Sequence, residues 1–310
     1  MPLACLFSYG LHGGGYGVGD GREDMSKFIN ANDNGFIGVG IQYRMSLGAF
    51  GFLAGDEVFR NGVVNLGLLD QQAALQWIQR YVHRFGGDPT RVTIWGVSAE
   101  DGSVMLQSIA YGGTQGTSLF TNSISFPPYL PQQYDYAGWI PSLAYYAFAV
   151  RAGCVTPRAY GNGARPIFEC LVSRDTTILQ EASALASASG RHGSWAFMPV
   201  TDGIFLESTP SQAVGAGKLN GRSLLTSNAA EEGLNFVPQN ISIEDELRDW
   251  IKLIFPLFTT EDAARLRSHY PSSNCTALKY ATSGVSGPTA LDRSATASGF
   301  QQIANSIYSE

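Results

Sequence analysis

The chain has 310 residues, of which 44% are hydrophobic and 15% are charged, a balance typical of a compact globular protein and not of a disordered one. The net charge of −6 argues against nucleic acid as a partner, because phosphate binding needs clustered Lys and Arg side chains. No apolar run is long enough to span a bilayer, and the first residues lack the basic and long apolar regions of a signal peptide.

The first third of the chain alternates strand and helix signals. Apolar residues 3–9 predict a strand, and residues 36–44, which follow an Asn-Gly turn signal, predict a second one. Residues 66–85 have the apolar spacing of a helix, and residues 92–96 predict the next strand. Strand–helix–strand order favours parallel pairing with helices on both faces of the sheet. The predicted fold class is therefore α/β, with a mostly parallel central sheet flanked by helices.

The remaining two thirds give weaker signals. Composition and acidic first turns predict helices at residues 135–152, 176–188, 244–258 and 261–269. Apolar segments predict strands at residues 196–205 and 222–228, and a Ser-, Thr- and Gly-rich segment predicts a loop at residues 283–298. Several aromatic side chains could line an apolar pocket, but we expect them in the core: Tyr129, Tyr134, Tyr136, Trp139 and Trp195. No repeat or linker divides the chain, so we expect a single domain over residues 1–310.

The segment WGVSAEDGS, residues 95–103, nearly matches the nucleophile elbow G-x-S-x-G of serine hydrolases. Ser98 is then the candidate nucleophile, although Glu100 stands where the last glycine of the motif belongs. The segment follows a predicted strand, and open α/β sheets bind their ligands at the carboxyl ends of their strands. An ordinary serine in a turn is the alternative interpretation.

Two of the four cysteines, Cys154 and Cys170, flank a loop that contains Gly, Pro and Arg. A disulfide closing a loop of that size would contribute about 3 kcal/mol in the chain-entropy model. Two buried free thiols are the competing interpretation. The glycosylation sequons at Asn240 and Asn274 favour a secretory route and therefore the disulfide, although such triplets also arise by chance.

Longer motifs in the chain carry a family resemblance. The runs LHGGGYGVGD (residues 11–20), IQYRMSLGAFGFLAG (41–55), the segment 65–99 that ends in the elbow, and PVTDGIFL (199–206) resemble the type B carboxylesterase/lipase family. That family includes the cholinesterases and many secreted fungal esterases and lipases. The resemblance implies an α/β-hydrolase fold, here expected to be truncated at both ends and so incomplete at both sheet edges. It also implies secretion and a small-molecule or lipid ester as substrate. We expect neither a metal nor a cofactor, because no His, Cys and Asp cluster has the spacing of metal ligands.

The resemblance also implies roles for individual residues. Ser98 would be the nucleophile, and the backbone amides of Gly14, Gly15 and Ala99 would form the oxyanion hole. Glycine suits the loop because a Cβ would keep the backbone from approaching the carbonyl oxygen. Glu232, in the segment SNAAEEGLNF, would be the triad acid. Taken alone, the glycine run would be a flexible surface loop and the glutamate pair a charged surface turn.

The general base is the missing member of the triad. In the family's order a histidine must follow Glu232, and of the four histidines His269 alone does so. Its segment RLRSHYP does not resemble the family's catalytic histidine segment, and we expect His269 at a helix C-terminus. His12 belongs to the oxyanion loop, and His83 and His192 precede Glu232. We therefore expect that the catalytic histidine is absent from this chain.

Three residues around Ser98 depart from the family pattern: Val97, Glu100 and Asp101. A carboxylate about 6 Å from the oxyanion, at an effective dielectric constant of ~20, would oppose the transition state by on the order of 3 kcal/mol. Three function hypotheses follow. The chain is a carboxylic ester hydrolase that works through an acyl-Ser98 intermediate, or an inactive esterase-like binding module, or a fragment without function.

Overall fold

The computed structural model describes residues 3–8, 14–22, 24–44, 48–155, 166–188, 195–227, 232–270 and 299–309. The strands of this part are β1 (Leu3–Ser8), β2 (Phe36–Gly40), β3 (Gly87–Ser98), β4 (Asn122–Pro128), β5 (Tyr134–Asp135), β6 (Val200–Thr201) and β7 (Ser223–Thr226). The longer helices are α4 (Leu66–Tyr81), α5 (Ala99–Ile109), α6 (Trp139–Arg151), α8 (Thr176–Ala188), α11 (Glu244–Ile254), α12 (Thr260–His269) and α13 (Gly299–Ser309). The shorter ones are α1 (Ser26–Ala31), α2 (Ala49–Phe52), α3 (Asp56–Asn61), α7 (Ile167–Val172), α9 (Pro210–Gly215) and α10 (Gly233–Phe236), with 3-10 turns at Val82–Phe85 and Ala110–Gly113.

Five strands form one parallel sheet in the order β2-β1-β3-β4-β7. The longest strand, β3, is central and pairs Thr93 with Leu6 of β1 and Ile94 with Ser123 of β4. Helix α4 lies between β2 and β3 along the chain, and α5 lies between β3 and β4. Parallel neighbours need such crossover connections. The predicted α/β class with a mostly parallel sheet is confirmed. The strands β5 and β6 pair separately, also in parallel.

Contacts within the chain group the described residues into two compact units. The larger one holds the described residues up to 188 together with 195–227, and the smaller one holds those from 232 onward. The expected single domain over residues 1–310 stays a prediction.

Each unit has its own apolar core. In the larger unit one cluster is built from α4, β3 and α5, with Leu75, Ile94 and Val104 fully buried. A second cluster in that unit includes Tyr16 and Phe52. The smaller unit packs side chains of α11 and α13 together. Burying each such large apolar side chain contributes roughly 1.5–3 kcal/mol.

Most predicted elements are present, with shifted ends. The predicted helix over residues 66–85 is α4 continued by a 3-10 turn, and the one over 176–188 is α8. The predicted helix over 135–152 starts later, at Trp139, because residues 135–138 form a turn in which Gly138 N donates to Asp135 O at 2.9 Å. The predicted loop at residues 283–298 lies outside the described residues.

The strand predicted at residues 196–205 is mostly wrong. Within it only Val200–Thr201 is a strand. The next residue, Asp202, accepts hydrogen bonds from Ile204 N at 3.0 Å and Leu206 N at 2.9 Å, so its side chain turns the backbone back on itself. Gly203 adopts the positive φ of 72° that this turn requires.

One aromatic residue expected in the core is instead exposed. The side chain of Trp139, at the start of α6, is 74% exposed, whereas Tyr129 and Trp195 are partly buried. Helix α6 has more apolar residues than its buried side accommodates. Composition alone therefore predicted, wrongly, that Trp139 lies in the core.

Candidate active site

Ser98 occupies a strained position between a strand and a helix. It is the last residue of β3 and directly precedes Ala99, the first residue of α5. Its backbone has φ 63° and ψ −123°, a region that residues with a side chain rarely adopt. The carbonyl oxygen of Ser98 accepts a hydrogen bond from Tyr129 N at 3.0 Å, which ties this turn to the segment after β4. This strand-to-helix turn has the geometry of a nucleophile elbow.

Gly96 lets the first turn of α5 lie directly against the end of β3. A Cβ at Gly96 would stand 2.8 Å from Asp101 N and 2.9 Å from the Cβ of Glu100. Backbone atoms cannot give way at such distances, so the position requires glycine. The motif residue two places before Ser98 is therefore explained by packing within the elbow itself.

Glu100 and Asp101, which depart from the family pattern, are both fully buried. An orientation of Glu100 into solvent, which would keep its charge away from the elbow, is thus excluded. Both carboxylates lie in the first turn of α5, where the helix dipole favours negative charge. Burial first, then Tyr129, and after it the carboxylates of Asp101 and Glu100, raise the pKa of the Tyr16 hydroxyl above its ordinary value.

The glycine-rich loop closes on itself and packs against an indole ring. The carbonyl oxygen of Gly14 accepts from Gly17 N at 2.8 Å and from Val18 N at 3.3 Å, so residues 14–18 form a tight turn. Gly15 is buried at φ 60°, and a Cβ there would overlap the indole of Trp195. Gly15 is therefore required twice, by its backbone conformation and by the close contact. His12 lies outside the described residues.

Tyr16 connects this loop to the elbow. Its side chain is fully buried, and its ring packs edge-on against Phe52 with centroids 5.0 Å apart. Its hydroxyl lies 3.5 Å from the carbonyl oxygen of Tyr129, the residue whose amide donates to Ser98 O. The same hydroxyl lies against α5, where a Cβ at Gly102 would stand 2.4 Å from it. The structure thus holds the loop of Gly14 and Gly15 on the helix that starts at Ala99. Sequence analysis missed Tyr16, although an aromatic residue inside a glycine-rich loop is a usable signal for such a contact.

Glu232 lies in the smaller unit, immediately before α10, and its side chain is half-buried. Burial and then the charge of Glu232 raise the pKa of Tyr308 on α13 to about 12. A Cβ at Gly233 would overlap the backbone of Asn305, so the glycine after Glu232 permits α10 to lie on α13. The role of Glu232 as triad acid stays a prediction.

The histidines of the described residues are both exposed. His269 is in the last turn of α12, the helix C-terminus expected for it, and His83 lies in the 3-10 turn after α4. His192 lies outside the described residues.

Cys154 and Cys170 form a disulfide, with Cα atoms 5.6 Å apart. It joins the segment after α6 to α7 in the larger unit. Asn240 of the first sequon is exposed, and Asn274 lies outside the described residues. Glycosylation stays a prediction at both.

Among the described residues, no three His, Cys, Asp or Glu side chains are grouped so that they could hold a metal ion. In the same part of the chain, no helix combines the length and the apolar character needed to cross a membrane.

The parallel sheet and the elbow at the end of its central strand define an α/β-hydrolase. The structure superposes on that of Aspergillus niger EstA with a TM-score of 0.79 and 28% sequence identity, over 99% of this chain and 54% of EstA. The sequence profile described as "Carboxylesterase family" matches residues 10–281. The chain belongs to the carboxylesterase family, as the resemblance of its motifs predicted.

Two relatives of known name are similar over most of the chain. "Carboxylesterase patB" of Aspergillus clavatus is 34% identical over 264 residues, which cover 79% of this chain and 42% of patB. A "Secreted triacylglycerol lipase" of Gibberella zeae is 32% identical over 289 residues, which cover 88% of this chain and 47% of the lipase. The chain thus spans about half the length of the curated relatives that it matches.

Proposed function

We propose that this chain hydrolyses carboxylic esters through an acyl intermediate on Ser98. The observation that carries the proposal is the backbone of Ser98, held at φ 63° between the central strand and α5. A conformation of this kind costs of order 1–3 kcal/mol and persists where the surroundings impose it, which is common at catalytic residues. Membership of the carboxylesterase family supports the same reaction class.

The reaction would proceed by acyl transfer to and from the serine. Ser98 Oγ attacks the ester carbonyl carbon while a general base takes its proton, and the alcohol then leaves with that proton. Water attacks the acyl-serine, releasing the acid and restoring Ser98. The amides of Gly14, Gly15 and Ala99 would donate to the oxyanion in both steps. We assign Glu232 as the acid that orients the base, and we assign no residue of this chain as the base.

The proposed substrate is a small-molecule or lipid ester, and the proposed location is outside the cell. The relatives named as secreted lipases support both. The disulfide between Cys154 and Cys170 supports an oxidising compartment. Glycans at Asn240 and Asn274 belong to the same proposal.

A second candidate, an esterase-like module that binds but does not turn over, is favoured by the fully buried Glu100 and Asp101. Two carboxylates in the first turn of α5 oppose the growth of negative charge at the amide of Ala99.

The two candidates are separated by hydrolysis of p-nitrophenyl butyrate. We expect the purified chain to release p-nitrophenolate at least about tenfold faster than a folded Ser98→Ala variant. Ser118→Ala, which alters an exposed turn serine, is the control and should keep the full rate. Equal rates for the chain and for Ser98→Ala would reject the esterase and leave the binding module.

A further inference from the structure

We propose that helix α6 docks this protein on a lipid surface. Its exposed face carries Trp139, Leu143, Tyr146 and Val150, which are 74%, 45%, 48% and 57% exposed. These residues, the α6 stripe, follow one another at intervals of three or four positions and therefore line one side of the helix.

The opposite side of α6 packs in the core. Pro141, Tyr145, Phe148 and Ala149 are buried, and the helix packs against α8. The Tyr145 hydroxyl donates a 2.6 Å hydrogen bond to Glu57, which further fixes the rotation of α6. The stripe therefore cannot turn inward, and α6 is apolar on both its buried and its exposed side.

This pattern differs from that of an ordinary surface helix. A helix at the edge of a globular protein carries charged or polar residues on its outer face. Over Trp139–Arg151 the one charged residue is Arg151, which is exposed at the end of the helix. Exposed apolar side chains grouped on one face of a helix are often a binding site for a protein or a membrane.

The size of the stripe favours a lipid surface over a protein partner. Four side chains of these exposures offer on the order of 400 Å² of apolar area. Each partner in a stable protein complex buries about 800 Å². A lipid surface needs no matching partner, because apolar side chains insert into it one by one.

The chemistry of the stripe also suits a lipid–water boundary. Trp and Tyr concentrate at this boundary, since their rings are apolar while their N–H or O–H groups remain hydrated. Helix α6 has no acidic residue, but Tyr146 lines a pocket with Asp56 and Glu169 of neighbouring helices. The stripe therefore suits zwitterionic lipid better than anionic lipid. Docking through α6 does not depend on the chemistry at Ser98.

The test is flotation of the full chain with vesicles of dioleoylphosphatidylcholine in a density gradient. All proteins carry Ser98→Ala, so hydrolysis of lipid cannot produce or abolish the signal. Trp139→Ser/Val150→Ser removes two residues of the α6 stripe. The matched control, Val214→Ser/Leu257→Ser, removes two apolar side chains that are 55% and 89% exposed elsewhere. Exposed substitutions of this kind alter folding stability little, and a thermal melt verifies this.

We expect the parent protein and the control to float with the vesicles, and the stripe variant to lose about tenfold in partition coefficient. A parent protein that does not float, or a control that loses as much binding as the stripe variant, would overturn the proposal. Size-exclusion chromatography adds a third measurement. A dimer that dissociates in the stripe variant would overturn the proposal as well, since a second copy of the chain would then cover α6.

Discussion

The indole of Trp195 lies where a side chain at Gly15 would have to stand. A Cβ at Gly15 would overlap the ring, and one at Gly17 would be 2.5 Å from its Cζ3 atom. Trp195 lies after α8, far from the glycine loop in sequence. The conformation of the loop therefore depends on a contact with a distant segment of the chain. The proposed oxyanion hole is therefore built by the tertiary fold.

Gly15→Ala should lower the rate of p-nitrophenyl butyrate hydrolysis by about 10²–10³-fold, as loss of an oxyanion donor does. The added methyl group must displace either the loop or Trp195. Gly86→Ala is the matched control, because Gly86 also has a positive φ, of 84°, but no atom lies within 4 Å of its Cβ position. A steady-state assay of the two variants separates the contact from backbone strain. Combining Gly15→Ala with Trp195→Ala should recover part of the rate, and no recovery would contradict the role of Trp195.

Glu100→Gln should accelerate acylation of Ser98. The substitution keeps the shape of a fully buried side chain and removes its charge from the first turn of α5. A repulsion of on the order of 3 kcal/mol corresponds to roughly a hundredfold in rate. Stopped-flow release of p-nitrophenolate measures the effect, with Glu244→Gln in α11 as the control. A slower reaction in Glu100→Gln would show that the carboxylate assists the elbow.

Reduction of the Cys154–Cys170 disulfide should lower the free energy of unfolding by about 3 kcal/mol, because the closed loop restricts the unfolded chain. Urea denaturation with and without dithiothreitol measures the change. In Cys154→Ala/Cys170→Ala the reductant should have no further effect. A reductant effect that persists in this variant would assign the stabilisation to other cysteines.

The ion pair of Arg44 and Asp70 should make stability depend on pH in the acid range. Partial burial acts to raise the pKa of Asp70, but the hydrogen bonds and charge of Arg44, with Nη2 to Oδ1 at 2.6 Å, outweigh it and hold the pKa below its ordinary value. The pair therefore contributes fully to the free energy of unfolding above pH about 3.9, which is the pKa of an aspartate in the unfolded chain. This contribution is lost as the pH falls through the lower pKa of Asp70 in the folded protein.

Asp70→Asn should lower the free energy of unfolding at pH 7 by about 1 kcal/mol, since the pair is partly solvated. It should also flatten the decline of stability below about pH 4. Thermal melts across this pH range measure both effects. Asp20→Asn, which removes an exposed carboxylate 4.0 Å from Arg22, should leave the pH profile unchanged. Identical profiles for Asp70→Asn and the unaltered chain would contradict this assignment.

The elements predicted correctly are those whose own residues have the composition or spacing of a helix or a strand. Helix α4 has regular apolar spacing, α8 is rich in Ala and Ser, and β7 is a short apolar run, so each was predicted close to its observed bounds. Strand β4 was missed because Asn122–Pro128 has few apolar residues and ends in two prolines, which weaken the signal for a strand. Its strand conformation comes from pairing with β3 on one side and β7 on the other. Pairing between distant segments is not visible in a local window.

In the candidate site, too, features set by neighbouring residues were predictable, and features set by contacts between distant segments were not. The elbow was predictable because Gly96 and Ser98 satisfy constraints within a few residues of each other. Tyr16 and Trp195 were not assigned a place at the site, because their contacts join segments far apart in the chain. Burial of Glu100 likewise depends on what packs over α5, and its residue type predicted the opposite.

The most direct test of the account is labelling of the full, folded chain with a fluorescent fluorophosphonate, followed by mass spectrometry of the adduct. This reagent reacts with a serine only when its hydroxyl is activated as a nucleophile. We predict a single adduct on Ser98 that is absent from Ser98→Ala. A soluble, folded chain that acquires no adduct, or one whose adduct persists in Ser98→Ala, would contradict the assignment of Ser98 as the nucleophile.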